Sequence, residues 1–396
     1  MPKFPFASPA ASQLRPSVFS TLTAQFKTLP QPPIPLHLGD TFREPVEGAA
    51  LRHAVNKLPA QRAYAYANPF GLDELRSALA ERLGTEGFSG LEAKHVQVTA
   101  GGTGAIYISL QTWLKPGDEV LICAPFWPLV KGMVLALGGI PVEVPFYPGI
   151  RAGTPVDQLL APHVTERTVA LYICTPNNPC GTVLDAQQIK EVAQFAVKHD
   201  LWTISDEAYH HYRYDDSPHP WLAREPGMAE RTASILTTSK SYALAGLRTG
   251  FLVTEGDWLD VARRVNTHQI YGVPVVAQLA ALAAIQEGKP WIAETKALYK
   301  RAAELVQKNL QANFGPAMGG GYVFPDFSAE LHGRTILSWI QDLLQAGVCI
   351  SPGDAFGKDY ANFARICFTS VAEDQLVLAI ERLNRSLEQL RAARAA

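Results

Sequence analysis

From residue 95 onward the chain alternates short, continuous apolar runs with longer helical ones, and this alternation constrains its fold more than any other feature. The short runs are "HVQVTA", "DEVLICAP", "TVALYICTP", "LWTISDE", "ASILTTS" and "TGFLVT". They are rich in β-branched residues and short enough to be strands. Helical stretches such as "GAIYISLQTWL" and "AQQIKEVAQFAVKH" separate several of them. A strand that is apolar along its whole length is covered on both faces, as in a largely parallel sheet flanked by helices. The pattern predicts an α/β protein whose large domain has a mostly parallel sheet covered by helices. Near residue 275 the character shifts. "VVAQLAALAAIQE" and "PWIAETKALYKRAAELVQKNLQANF" read as long helices, and a glycine cluster, "MGGGYVFPDF", leads into a segment closing on "EDQLVLAIERLNRSLEQLRAA". This predicts a smaller α+β domain. The expected division is 1–49 as N-terminal arm and part of the small domain, 50–287 as the large domain, and 288–396 as the C-terminal small domain. The proline-rich arm carries one amphipathic stretch, "SVFSTLTAQFKTL", and is expected to pack on the small domain.

Composition narrows the function classes. The 396 residues are 47% hydrophobic and 18% charged with a net charge of −2, so no basic excess points to nucleic acid or an anionic membrane surface. No window holds the roughly 18 uninterrupted apolar residues of a membrane span. The opening "MPKFPFASPAASQLRPSVF" has no continuous apolar core of a signal peptide, and a cytoplasmic protein is expected. Five cysteines, odd in number and never spaced CxxC, argue against a disulfide framework and against a zinc site. Free thiols are the expectation.

Five groups carry candidate chemistry. In "VTAGGTGAIYISL" a strand is expected to end at Thr99 and a helix to begin near Ala105, with Gly101, Gly102, Thr103 and Gly104 making the turn. Glycines let backbone amides approach an anion, and a helix N-terminus adds unpaired N–H groups and a favourable dipole. The same turn also suits a plain strand-to-helix connection. "CTPNNPCGTV" places Asn177 and Asn178 before a proline, as turns commonly do. "ISDEAYHHY" sets Asp206 and Tyr209 where an apolar strand runs out, the edge at which open α/β sheets bind ligands. His210 and His211 have no metal partner at suitable spacing. "SKSYALAGLRTG" holds Lys240 and Arg248 with no acid between them. An arginine suits a phosphate, whereas a lysine amine can lose its proton and form a Schiff base. Finally, Arg365 in "FARICFTS" suits a carboxylate through a forked pair or is an ordinary surface cation.

The order of these groups resembles the fold type I pyridoxal-phosphate enzymes, and specifically the class I/II aminotransferases. The resemblance runs from "LHLGD" to the final helix and includes "YANPFGLDELRSALAERL", "LKPGDEVLICAPFW" and "AGVCISPGDAFG". It implies pyridoxal 5′-phosphate as cofactor, bound by the large domain, and assigns roles residue by residue. Lys240 would hold the cofactor as an aldimine and later act as the base. Asp206 would pair with the pyridine nitrogen, and Tyr209 and Asn178 would hydrogen-bond the phenolic oxygen. Trp127 would stack on the ring. Gly102, Thr103 and Arg248 would bind the phosphate, with a further hydroxyl from Thr237 or Ser239. Arg365 would clamp the substrate carboxylate, helped by Asn178 and by a backbone amide at Gly39. Tyr66 would reach the neighbouring subunit's phosphate, which implies a homodimer with shared sites. No metal is implied.

Two departures stand out. Cys180 replaces the usual threonine of NNPTG, and Tyr271 and Gly272 stand where relatives often carry Ser-Asn. Arg43, in "GDTFREP", would meet a substrate's distal carboxylate or form a surface salt bridge. The implied activity is transfer of an amino group from an L-amino acid to a 2-oxo acid. A C–S β-lyase on the same scaffold and a catalytically silent sensor are the alternatives.

Overall fold

Seven strands form one sheet in the computed structural model, which describes residues 8–56 and 63–395. They are β1 (Val96–Ala100), β2 (Glu119–Ala124), β3 (Ile140–Pro145), β4 (Thr168–Cys174), β5 (Trp202–Asp206), β6 (Thr232–Thr237) and β7 (Thr249–Val253). Their spatial order is β1-β7-β6-β5-β4-β2-β3, and only β7 runs against its neighbours. All six apolar runs are strands here. β3 was not among them. Its sequence, "IPVEVP", has two prolines, which a central strand excludes because proline donates nothing to the ladder. β3 lies at the sheet edge with only β2 beside it, so the prolines are tolerated.

Alternation along the strands divides the core. Val120 and Ile122 of β2, with Ala170 and Tyr172 of β4, pack on one face against Ala105, Ile106 and Ile108. Leu121, Cys123, Leu171 and Ile173 pack on the other face against Ile189, Val192 and Phe195 of helix Ala186–Lys198. Asp185 starts that helix as half of a capping box with Gln188, which satisfies two otherwise unpaired N–H groups. Helices Asp73–Thr85 and Val275–Glu287 cover β1 and β7 through Leu75, Leu79, Ala277 and Ala281.

A second core gathers helices Lys289–Asn309, Ile336–Gln345 and Glu373–Ala395. They accompany a three-stranded antiparallel sheet of β8 (Tyr322–Val323), β9 (Ser351–Pro352) and the central β10 (Ala364–Cys367). Helix Ile336–Gln345 buries Ile336, Trp339, Ile340, Leu343 and Leu344, a helical stripe that fixes which side it presents. The N-terminal arm joins this core through Leu22, Ile34 and Leu36, and Ile34–Pro35 pairs with Val348–Cys349 as parallel strands. Burying an aliphatic side chain contributes roughly 1.5–3 kcal/mol, so these three contacts favour docking of the arm. That seating carries Gly39 towards the carboxyl edge of the large sheet.

Candidate active site

The carboxyl ends of β1, β2, β4, β5 and β6 share one edge, and the polar residues following them converge there. Helix Gly101–Trp113 begins directly after β1, four residues earlier than expected, so the glycines form its first turn. Gly101 has φ +70°, and a Cβ there would lie 2.6 Å from an Arg248 guanidinium nitrogen. A Cβ on Gly250 would lie 2.3 Å from the Gly101 carbonyl carbon. Both positions need glycine, and the contact sets Arg248 beside unpaired helix N–H groups. Arg248 itself is left-handed (φ +53°) and donates to the Ala245 carbonyl at 2.9 Å. A Cβ on Gly102 would sit 3.7 Å from Thr237 Cβ, so the end of β6 borders the same turn. Thr237 caps the short helix Thr238–Ser241: its oxygen accepts the Ser239 N–H at 3.1 Å and its hydroxyl donates to Ser239 Oγ at 2.9 Å. The Thr237 proton is committed, whereas Ser239 Oγ donates to no group among the described residues. Thr103 is half-buried in the first turn.

Asp206 ends β5 and is buried. It accepts the Tyr172 hydroxyl at 2.8 Å and the Ala208 N–H at 3.2 Å, and burial pushes its carboxyl up to about 6. Tyr209 Oη lies 2.6 Å from Tyr322 Oη and accepts a long bond from Asn178 Nδ2 at 3.5 Å. Arg365 Nη1 donates to Asn178 Oδ1 at 2.9 Å, and Nη2 to the His37 carbonyl at 2.6 Å. The guanidinium is 2% exposed and lies 4.7–5.0 Å from the ring centroids of Phe19, Tyr322 and Phe356. Its Nε has no partner, and among the described residues no carboxylate lies within ion-pair distance. Lys240 Nζ donates to the Gly39 carbonyl. Burial lowers the pKa of this amine, with Asp40 opposing the shift. Trp127, half-buried, caps helix Pro128–Ala136 and packs against the core beneath the edge.

A cleft of about 280 Å³ opens between the two cores, lined by Gly39, Thr41, Tyr209, Tyr212, Ser239, Lys240, Tyr299 and Tyr322. Gly39 is confined: a Cβ would meet Tyr322 Oη at 2.4 Å. Of the expected participants Gly39, Tyr209, Ser239 and Lys240 line this cleft; the others, Tyr66 and Arg43 included, are not among its lining. Tyr66 is 88% exposed with its ring 5.0 Å from that of Tyr271, which has φ +62°. Arg43 pairs with Glu294 at 2.9 Å and lies 5.6 Å from the Trp291 ring, the surface pair rather than a free cation. Sequence reasoning passed over Tyr172, Tyr212, Tyr299 and His37. It also found no partner for His210 and His211, yet Glu86 lies beside both. Long sequence separation hid that contact.

A seven-stranded mixed sheet with a buried acid, a lysine and an anion cradle at one edge is the architecture of fold type I pyridoxal-phosphate enzymes. The chain belongs to the aminotransferase class I and II family, whose family model matches residues 42–383. It is 36% identical over 336 residues to an aspartate aminotransferase of Pyrococcus abyssi, covering 82% of this chain and 84% of the relative. It is 30% identical over 394 residues to a probable aspartate/prephenate aminotransferase of Aquifex aeolicus, covering 96% and 98%. A double mutant of Thermus thermophilus aspartate aminotransferase superposes with a TM-score of 0.87 at 28% identity, covering 97% and 100%. The protein is thus a transferase of amino groups, and enzymes of this family use pyridoxal 5′-phosphate. The residues present fit that cofactor. The glycine turn leaves space and donors for a phosphate, Arg248 has no acidic partner among the described residues, and Asp206 is a buried carboxyl suited to a protonated ring nitrogen. Among the described residues no helix is long and apolar enough to cross a membrane.

Proposed function

We propose that the chain moves an amino group from an L-amino acid to a 2-oxo acid, 2-oxoglutarate or pyruvate, in two half-reactions at one site. The observation that carries this reading is Arg365: a buried guanidinium with neutral partners and an unpaired Nε needs an anion, and a substrate carboxylate supplies it. When bound, pyridoxal phosphate supplies an electron sink for the pair released from the substrate Cα–H bond. Lys240 would hold the cofactor and, as a neutral amine, would take and return the proton at the substrate Cα. Its depressed pKa favours that neutral form. Asp206 keeps the pyridine nitrogen protonated, Tyr209 and Asn178 hold the phenolic oxygen, and Trp127 covers the ring. Gly102, Thr103, Ser239 and Arg248 hold the phosphate, Thr237 orienting Ser239. Asn178 also orients Arg365, and the Gly39 segment closes the carboxylate pocket.

The same reading divides the chain into an arm with part of the small domain (1–49), a cofactor-binding domain (50–287) and a small domain (288–396). It also places the protein in the reducing cytoplasm, supported by five free cysteines, and makes it a homodimer. Tyr66 and Tyr271, 88% and 46% exposed, support a covered surface through which Tyr66 meets the partner's phosphate. The test is Arg365→Lys assayed with aspartate, glutamate, phenylalanine and tyrosine. KM for the amino and oxo acids should rise about 100-fold, as expected when a buried forked pair is lost. An unchanged KM, or pyruvate and ammonia from cystathionine, contradicts the assignment.

A further inference from the structure

His210 and His211 follow Tyr209 directly, yet they line a second cavity of about 280 Å³ rather than the cleft. Glu86, 125 residues before His211, completes a cluster whose three ligand atoms lie within 4.8 Å of one another. His210 Nδ1 lies 2.8 Å from the Glu207 carbonyl, which only accepts, so this nitrogen carries a proton. In the neutral ring, Nε2 is then a bare lone pair. It lies 3.5 Å from Glu86 Oε2, and neither atom has a hydrogen-bond partner among the described residues. Two acceptors facing each other, with the His210 side chain 5% exposed, are satisfied only by a proton or a metal cation between them. His211 Nε2 lies 3.1 Å from Glu86 Oε1.

We propose that Glu86 Oε2, His210 Nε2 and His211 Nε2 form a site for a divalent transition-metal cation of the zinc type. Nitrogen and oxygen ligands about 2.0–2.2 Å from tetrahedral zinc stand roughly 3.3–3.5 Å apart, and the His210 Nε2–Glu86 Oε2 pair, at 3.5 Å, has that spacing. The bond from His210 Nδ1–H to a backbone carbonyl is the outer contact that orients a metal-bound imidazole. Binding at His211 Nε2 moves that ring's proton to Nδ1. Arg82 also donates to Glu86 Oε1, competing for the carboxylate but leaving Oε2 to the metal. Such an ion would tie the turn carrying Tyr209 to the end of helix Asp73–Thr85.

The experiment is calorimetric titration of tag-free holoenzyme with Zn²⁺, alongside His210→Gln, His211→Gln and, as control, the exposed His268→Gln. Expected are one Zn²⁺ per chain and at least 100-fold weaker binding in either cluster variant, with His268→Gln unchanged. Electron paramagnetic resonance with Cu²⁺ gives a readout that does not depend on affinity: two coordinated imidazole nitrogens in the parent, one in each variant whose circular dichroism is native. Absence of saturable zinc binding, binding unaffected by both variants, or a copper spectrum without imidazole coupling overturns the site.

Discussion

The floor of the cleft and its substrate-facing wall are built differently. The floor is local: Asp206, the Gly101–Gly102 turn and the Thr237–Ser239 cap each sit where a strand of the parallel sheet ends. The wall is assembled from afar. Gly39 comes from the arm, Tyr299 from a long helix, and Tyr322 and Arg365 from β8 and β10 of the small sheet. A floor fixed by strand ends holds a constant cofactor, whereas a wall made of separate segments can adjust to different substrates. Damage to the floor should therefore abolish chemistry for every substrate, and damage to the wall should change which substrate is preferred.

Lys240→Ala gives the largest effect. Loss of the amine proposed to transfer the proton should lower kcat by about 10²–10⁴-fold for all donors, measured by steady-state assay. A donor that retained turnover would break the division. Gly250→Ala is next. The added methyl meets the Gly101 backbone, and overpacking by about 1–3 kcal/mol should weaken pyridoxal-phosphate binding roughly 5–150-fold in equilibrium dialysis. Unaltered cofactor affinity would show that the turn is not held by this contact.

Asp206→Asn tests the floor through pH. In cofactor-free protein the carboxyl's folded pKa, about 6, lies above its ordinary 3.8. The folded state binds the proton more tightly, so this group's stabilisation is present below pH 4 and is lost as pH rises through 6. The loss amounts to about 3 kcal/mol. Denaturant unfolding of the Asn variant should lack that component of the slope. Parallel curves for both proteins would mean that Asp206 is not desolvated as described. The smallest effect belongs to the wall: Tyr322→Phe removes one hydroxyl contact to Tyr209, about 0.5–1.5 kcal/mol, and should change kcat/KM two- to tenfold, unequally among donors. An equal change for all donors would erase the contrast.

The same division explains what could be read before the fold was known. Apolar runs and the polar residues at their ends are local signals, so the sheet and most of the floor were legible. β3 was hidden because its prolines read as a break, and only its edge position explains them. Tyr172 reads as one more apolar strand residue, and nothing local says that its hydroxyl meets Asp206. On the wall, Arg365 stood out as a lone cation with two readings, and Gly39 was singled out by resemblance, since neither residue announces the other at such separation. Arg43 stayed open until Glu294, far along the chain, proved to be its partner. Glu86 reads as a surface acid at a helix end, and only the fold sets it against two histidines.

The most direct test of the central claim is a single half-reaction. Purified holoenzyme is mixed with an amino acid and no oxo acid, and cofactor absorbance, 2-oxo acid and ammonia are followed together. The account predicts loss of the resting cofactor band with one equivalent of 2-oxo acid per site and no ammonia, reversed by adding 2-oxoglutarate or pyruvate. Ammonia release in step with continuing turnover would contradict it.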